Sequence, residues 1–299
     1  MYPPVAPRRP VALALMVIAP LLWSLGGVLT RQIESPRPLE LAFWRSLFCA
    51  LFVAAVLLAF RAGNPLATIR KAGVAGAVSG AMWGLMFTSF IVALTLTTVA
   101  NVLVVCSLGP LFTALLAFAV LREPIAPRTW LAIVVAAIGM AAMFGAGFTA
   151  DEPRHVFGTL LALSIPAAAA VNVVVLRKAG AHLDLVPAVL LGALLSMAAS
   201  LPWALPFAAG ARDLGLLAVL GVFQIGLPCM LLVLAARTLS APEIALLGLL
   251  EVVLGPLWAW LGAGEVPGAA TLAGGALVLA ALAGNELALL AGRPRAGIK

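Results

Sequence analysis

"LLGLLEVVLGPLWAW", residues 246–260, is an apolar run that holds one carboxylate, Glu251, with a proline and two tryptophans. Its reading decides the fold. Of the 299 residues, 64% are hydrophobic and 10% charged, and the mean hydropathy is +1.17. A soluble domain is about 25% charged and about 45–50% apolar. A helix needs about 20 apolar residues to cross a bilayer core, and this chain holds many runs of that length. They are continuously apolar, where barrel strands would alternate. The sequence therefore specifies an all-α integral membrane protein.

Charges, prolines and glycines divide the chain into ten expected transmembrane helices, at 11–30, 39–60, 72–93, 99–121, 128–147, 157–178, 185–207, 213–235, 242–263 and 268–291. Connections are short and leave no room for a soluble domain. Lys and Arg accumulate on the cytoplasmic side of a membrane protein. With the N-terminus inside, thirteen Lys and Arg fall on cytoplasmic segments and four (Arg31, Arg37, Arg154 and Arg212) on external ones, with Arg45 inside a span. Both termini are thus expected in the cytoplasm of a bacterial-type inner membrane. The net charge of +7 is spread over short loops, which fits a topology signal and not nucleic-acid binding.

The two halves echo each other. "PLLWSLGGVLTR" (20–31) aligns with "PAAAAVNVVVLR" (166–177), and "LREPIAP" (121–127) with "AGEVPGA" (263–269), setting Glu123 against Glu265. The expected layout is a cytoplasmic arm 1–10, a first repeat 11–147, an external linker 148–156, a second repeat 157–291 and a cytoplasmic tail 292–299. Five spans is an odd number, so the second repeat enters from the opposite side. Two inverted five-helix repeats place a substrate near the bilayer midplane at their interface. One chain then supplies both halves of a cavity, and a monomer suffices.

In this arrangement the chain resembles the EamA-type members of the drug/metabolite transporter superfamily. The residues that carry the likeness are "PLLWSLGG" (20–27), Arg45 in "LAFWRSLFCALF" (41–52), "LGPLFTALLAFAVLREPI" (108–125) and its echo "LLEVVLGPLWAWLGAGEVP" (249–267). The resemblance covers about residues 11–290. It implies ten helices in inverted repeats and export of amino acids, metabolites or drugs. Two departures stand out. Small multidrug pumps of the superfamily carry a proton-coupled Glu in their first helix, whereas here that span has Trp23, Ser24 and Gly26. In the repeat register, Glu251-Val252 also replaces the Gly109-Pro110 pair of the first half.

The candidate site residues follow from helical geometry. At 100° per residue, Gly248, Glu251, Gly255, Trp258 and Gly262 fall within an arc of roughly 80°. An acid at mid-span costs about 2.5–3.5 kcal/mol to insert, so Glu251 is expected to face the interior or a watery cavity. There it binds a substrate amine or takes up a proton. The competing reading is a protonated Glu bonded to a neighbouring helix, with the glycines serving close packing. Asn172, Gln224, Ser24 and Asn101 are polar within spans and are candidates for a central site or for interhelical hydrogen bonds. Trp23, Trp83 and Trp258 lie away from the interfacial belt and are candidates for stacking on a substrate or for core packing. Pro20, Pro110, Pro166 and Pro256, with Gly109 and Gly255, are expected hinges, or merely static bends.

Other charges have structural readings. "SAPE" (240–243) is a capping box in which Ser240 caps and Glu243 reaches back. Arg45 is near enough to the outer end of its span to snorkel. Glu123 and Glu265 terminate helices or pair with cations, and His155 and His182 sit in loops. Cys49, Cys106 and Cys229 lack metal-ligand spacing and read as small hydrophobes. No metal, cofactor, nucleotide loop or catalytic constellation is recognisable, so neither an enzyme nor an ATP-driven pump is expected.

The expected function is a secondary transporter exporting small amphipathic solutes, amino acids or related metabolites and drugs, by alternating access around a midplane cavity. Its partners are the small-molecule substrate, the lipid bilayer and, if the flux is coupled, a proton. The alternatives are a sugar or nucleotide-linked metabolite transporter of the same fold, which basic residues on the cavity would favour, and a non-transport scaffold or membrane enzyme.

Overall fold

A computed structural model describes residues 6–30, 32–34, 37–61, 69–97, 102, 105–122, 124–144, 153–180, 182–263 and 268–291. Every regular element among them is helical. In chain order these are α1 (Arg9–Thr30), α2 (Pro38–Arg61), α3 (Gly73–Leu96), α4 (Gly109–Leu121) and α5 (Pro127–Phe144). There follow α6 (Pro153–Ala162), α7 (Ser164–Ala179), α8 (Val186–Ala204), α9 (Ala211–Val219) and a π-helical segment, Leu220–Gly226. The last four are α10 (Leu227–Ala235), α11 (Ala241–Gly248), α12 (Leu250–Ala263) and α13 (Ala269–Ala291).

Six stretches are long and apolar enough to cross a membrane by length and composition: Arg9–Thr30, Pro38–Phe60, Gly73–Ala93, Pro153–Ala179, Val186–Ala204 and Ala211–Ala235. Shorter apolar helices are Gly109–Leu121, Pro127–Ala142 and Ala269–Asn285. Their outward faces carry exposed Leu58, Leu131, Leu160 and Leu272, a surface suited to lipid.

Four expected spans differ from simple rods, and each difference has a local cause. The span expected at 157–178 begins earlier, at Pro153, and is interrupted at Leu163, whose N–H reaches Thr159 O at 3.3 Å and Leu160 O at 3.2 Å. Pro166 then falls in the first turn of α7, where an N–H has no intrahelical acceptor to lose. Likewise Gly109-Pro110 opens α4, with Pro110 in its first turn. Pro110 and Pro166 thus stand in the first turns of their helices, each directly after a break in an apolar stretch. Pro20, by contrast, lies inside α1.

In the span expected at 213–235, the helix widens before Pro228. The N–H of Leu227 bonds Val222 O, an i to i−5 step. A proline has no N–H and its ring clashes with the carbonyl four residues back, here that of Gln224. Widening the turn accommodates both. The span expected at 242–263 breaks at Leu249, two residues before Glu251, and the Leu249 N–H bonds Leu246 O at 3.0 Å. Asn101, Glu123 and Glu265 lie outside the described residues.

Packing between the halves is reciprocal. α1 packs on α10 and α12, while its counterpart α6–α7 packs on α3 and α4. α2 packs on α8 and on the π segment, while α8 packs on α2 and α3. α5 pairs with α13 and α4 with α11. Short polar bonds cross these contacts: Ser46 Oγ donates to Ser196 Oγ at 3.0 Å, and Thr129 Oγ1 to Asn285 Oδ1 at 3.1 Å.

The helix ends are tied by charges far apart in sequence. Arg9 Nη2 lies 2.5 Å from Glu243 Oε1, and Arg237 Nη2 lies 3.1 Å from Asp184 Oδ1. Glu243 Oε2 also accepts the Ser240 N–H at 2.7 Å, the reach-back that the SAPE motif specifies. At the other end Glu40, wholly buried, accepts the N–H groups of Ala208 and Ala209 at 2.7 and 2.9 Å. Arg212 pairs with Glu34 there.

Candidate functional site

A cavity of about 230 Å3 opens among α1, α2, α3, α4, α7, the π segment, α10, α11 and α12. Glu251, half-buried in the first turn of α12, lies on its wall with Gly248. So do Trp23, Trp83, Asn172, Gln224, Gly109, Pro110 and Pro166. All four interruptions of the helices border it: the starts of α4 and α7, the π segment and the break at Leu249. The first turns of α4 and α7 give the wall two helix N-termini, the partially positive ends of helices.

Asn172 is buried and its Oδ1 accepts the Ser79 hydroxyl at 2.6 Å, so it both bridges helices and faces the cavity. Gln224 owes its place to the widened turn and to two glycines. A Cβ on Gly26 would stand 2.9 Å from Gln224 Nε2. One on Gly221 would stand 2.6 Å from both Arg45 O and Phe48 Cβ. Only bare backbone lets α1 and α2 approach the π segment this closely.

Ser24 and Trp258 are turned to each other. Trp258 Nε1 donates to Ser24 Oγ at 2.8 Å, and Ser24 donates to Leu21 O at 2.7 Å. Neither lines the cavity, and nor do Pro20 and Gly255. The expected face of α12 thus reaches the cavity at its Glu251 end and packs on α1 at its Trp258 end. A Cβ added to Gly109, Gly248 or Gly255 meets nothing within 4 Å among the described residues, so no close packing on those residues requires these glycines. Pro256 falls within α12.

Arg45 is the main correction. Seven residues into α2, it does not snorkel; it is 5% exposed and lies on the cavity wall. Its Nη2 donates to Phe87 O at 2.9 Å and its Nη1 to Gln224 Oε1 at 3.4 Å. Contact with α3 and the π segment closes the route to the interface. Arg45 and Glu251 both line this one cavity. The cavity therefore carries a basic residue on its wall. No group of three or more His, Cys, Asp or Glu suited to a metal occurs among the described residues.

A family model described as the EamA-like transporter family matches residues 10–145 and 156–285. The chain belongs to the EamA-like transporter family. That family lies within the drug/metabolite transporter superfamily, as the sequence motifs implied. As an EamA-like protein it is a multi-pass membrane protein and a transporter of small solutes. A solved structure described only as "Crystal structure of protein" is similar over 96% of this chain and all of its own, with a TM-score of 0.79 at 21% identity. That likeness supports the fold. No match was found among curated proteins.

Proposed function

We propose that this EamA-like protein is a secondary transporter exporting small amphipathic solutes, above all amino acids, with related metabolites and drugs in the same class. The observation that carries the reading is the composition of one cavity walled by helices of both matched halves. It joins aromatic side chains, the amides of Asn172 and Gln224, and one acid, Glu251. Most of a ligand pocket is apolar, and a few placed polar groups orient the ligand. Glu251 takes the amine of the solute, with proton carriage as its second role. Facilitated diffusion needs no proton and uses the same cavity.

In this account ten helices form two inverted repeats, divided near residues 148–156. Both termini are cytoplasmic in a bacterial-type inner membrane, and the monomer is sufficient. Reciprocal packing of the halves supports the repeats, and the distribution of Lys and Arg supports the orientation. Interrupted helices beside a midplane site let the two ends of the cavity open in turn. The sugar or nucleotide-linked reading has one supporting observation, Arg45 on the wall. Reconstitution into liposomes tests the proposal: radiolabelled amino acids or cationic amphiphiles should cross. Absence of flux for every member of both classes would overturn it.

A further inference from the structure

We infer that Arg45 is the anion-recognising group of the cavity and takes the carboxylate of the solute. The inference rests on the cavity being the transport site. A guanidinium offers five N–H donors in a planar fork and stays charged. Protein acceptors engage it at Phe87 O and, at the long distance of 3.4 Å, at Gln224 Oε1. Its Nε is buried and has no acceptor among the described residues. Among the described residues no carboxylate lies within 4.0 Å of it, and Glu251, the one acid on the wall, does not pair with it. A buried cation held by dipoles alone is costly, and an incoming anion relieves that cost.

A second donor on the same wall is also unmet. Trp83 is 4% exposed, and its indole N–H has no acceptor among the described residues. Buried donors without acceptors are rare in native structures. Both donors belong to residues that line one cavity, and they point to an acceptor that arrives with the solute. A planar carboxylate matches the guanidinium fork. The rings of Trp83, Phe87 and Phe90 line the same wall and receive an apolar body. A phosphomonoester carries about −1.5 to −2 charges, more than one guanidinium balances.

The test is binding to the purified full chain in micelles, read by tryptophan fluorescence. The probes are L-phenylalanine, L-phenylalaninamide and inorganic phosphate. Wild type should bind phenylalanine about tenfold to a hundredfold more tightly than the amide. R45Q should erase that preference by weakening phenylalanine alone, and R45K, which keeps charge but loses the fork, should retain part of it. Equal binding of acid and amide by wild type would overturn the inference, as would equal weakening of both by R45Q, the result of a purely structural role. Displacement of phenylalanine by phosphate would overturn the carboxylate assignment. Should R45Q fail to fold, the wild-type comparison decides alone. If neither phenylalanine nor its amide binds, this inference is overturned while the transport reading is decided by the flux assay above; equal binding removes the role of Arg45 only.

Discussion

Gly221→Ala places a methyl group where α2 meets the π segment. The new Cβ would stand 2.6 Å from Arg45 O, 2.6 Å from Phe48 Cβ and 2.9 Å from Cys49 N. Ordinary contact is about 3.5–4.0 Å, so the overlap is on the order of 1 Å. Two of the three obstacles are backbone and the third is a Cβ, so none can rotate away. Overpacking a close-packed interior costs about 1–3 kcal/mol, and this site belongs at the upper end. Ala gains up to about 1 kcal/mol over Gly in helix propensity, which leaves a net loss of about 2 kcal/mol. At roughly 2–4 °C per kcal/mol for a chain near this size, the melting temperature should fall by about 4–8 °C. Gly26→Ala is the control, because its obstacle is the movable end of Gln224, 2.9 Å away. It should leave stability within about 1 kcal/mol and displace the amide. Thermal unfolding in detergent checks both. Unchanged melting of Gly221→Ala would refute the close approach from which the placement of Gln224 and Arg45 is argued.

Glu251→Gln should weaken binding of L-phenylalaninamide about tenfold or more, measured by titration. If the acid also carries a proton, the same variant loses pH-driven flux; an unchanged pH dependence removes that role. A double-mutant cycle of Arg9→Gln and Glu243→Gln should give a coupling of about 1–3 kcal/mol in thermal unfolding, since the pair is short and little exposed. Coupling near zero would mean that the pair does not tie α1 to α11. Glu40→Ala leaves the N–H groups of Ala208 and Ala209 without their acceptor and should cost about 2–5 kcal/mol. Glu40→Gln, which keeps a carbonyl oxygen in place, should recover most of that.

Glu251 was legible because a lone acid in an apolar run has few places to go, and the cavity wall is one of them. Asn172 was legible as a polar residue within a span, and the structure sets it on the cavity wall while it accepts the Ser79 hydroxyl. Trp258 was read by helical phase, whereas the partner of its indole N–H, the hydroxyl of Ser24 on α1, is far away in sequence. Gln224 was recognisable as a polar residue, while its geometry depends on a π turn set by Pro228 and by close approach at Gly26 and Gly221. Those contacts join residues about 170–200 positions apart. Arg45 was misplaced for a related reason: distance from the helix end suggested snorkelling, whereas direction is set by Phe87 and Gln224. The hydropathy pattern located the helical stretches well, because the bilayer sets their length. It could not show where they break, since a break next to a cavity costs little when its free backbone groups are not exposed to lipid.

Counterflow of L-phenylalanine in proteoliposomes containing Gly248→Phe tests most directly whether solute passes through this cavity. A side chain at position 248 enters open space on the wall, so the variant should melt with wild type and lose flux. Wild-type flux with the ring in place would contradict the account.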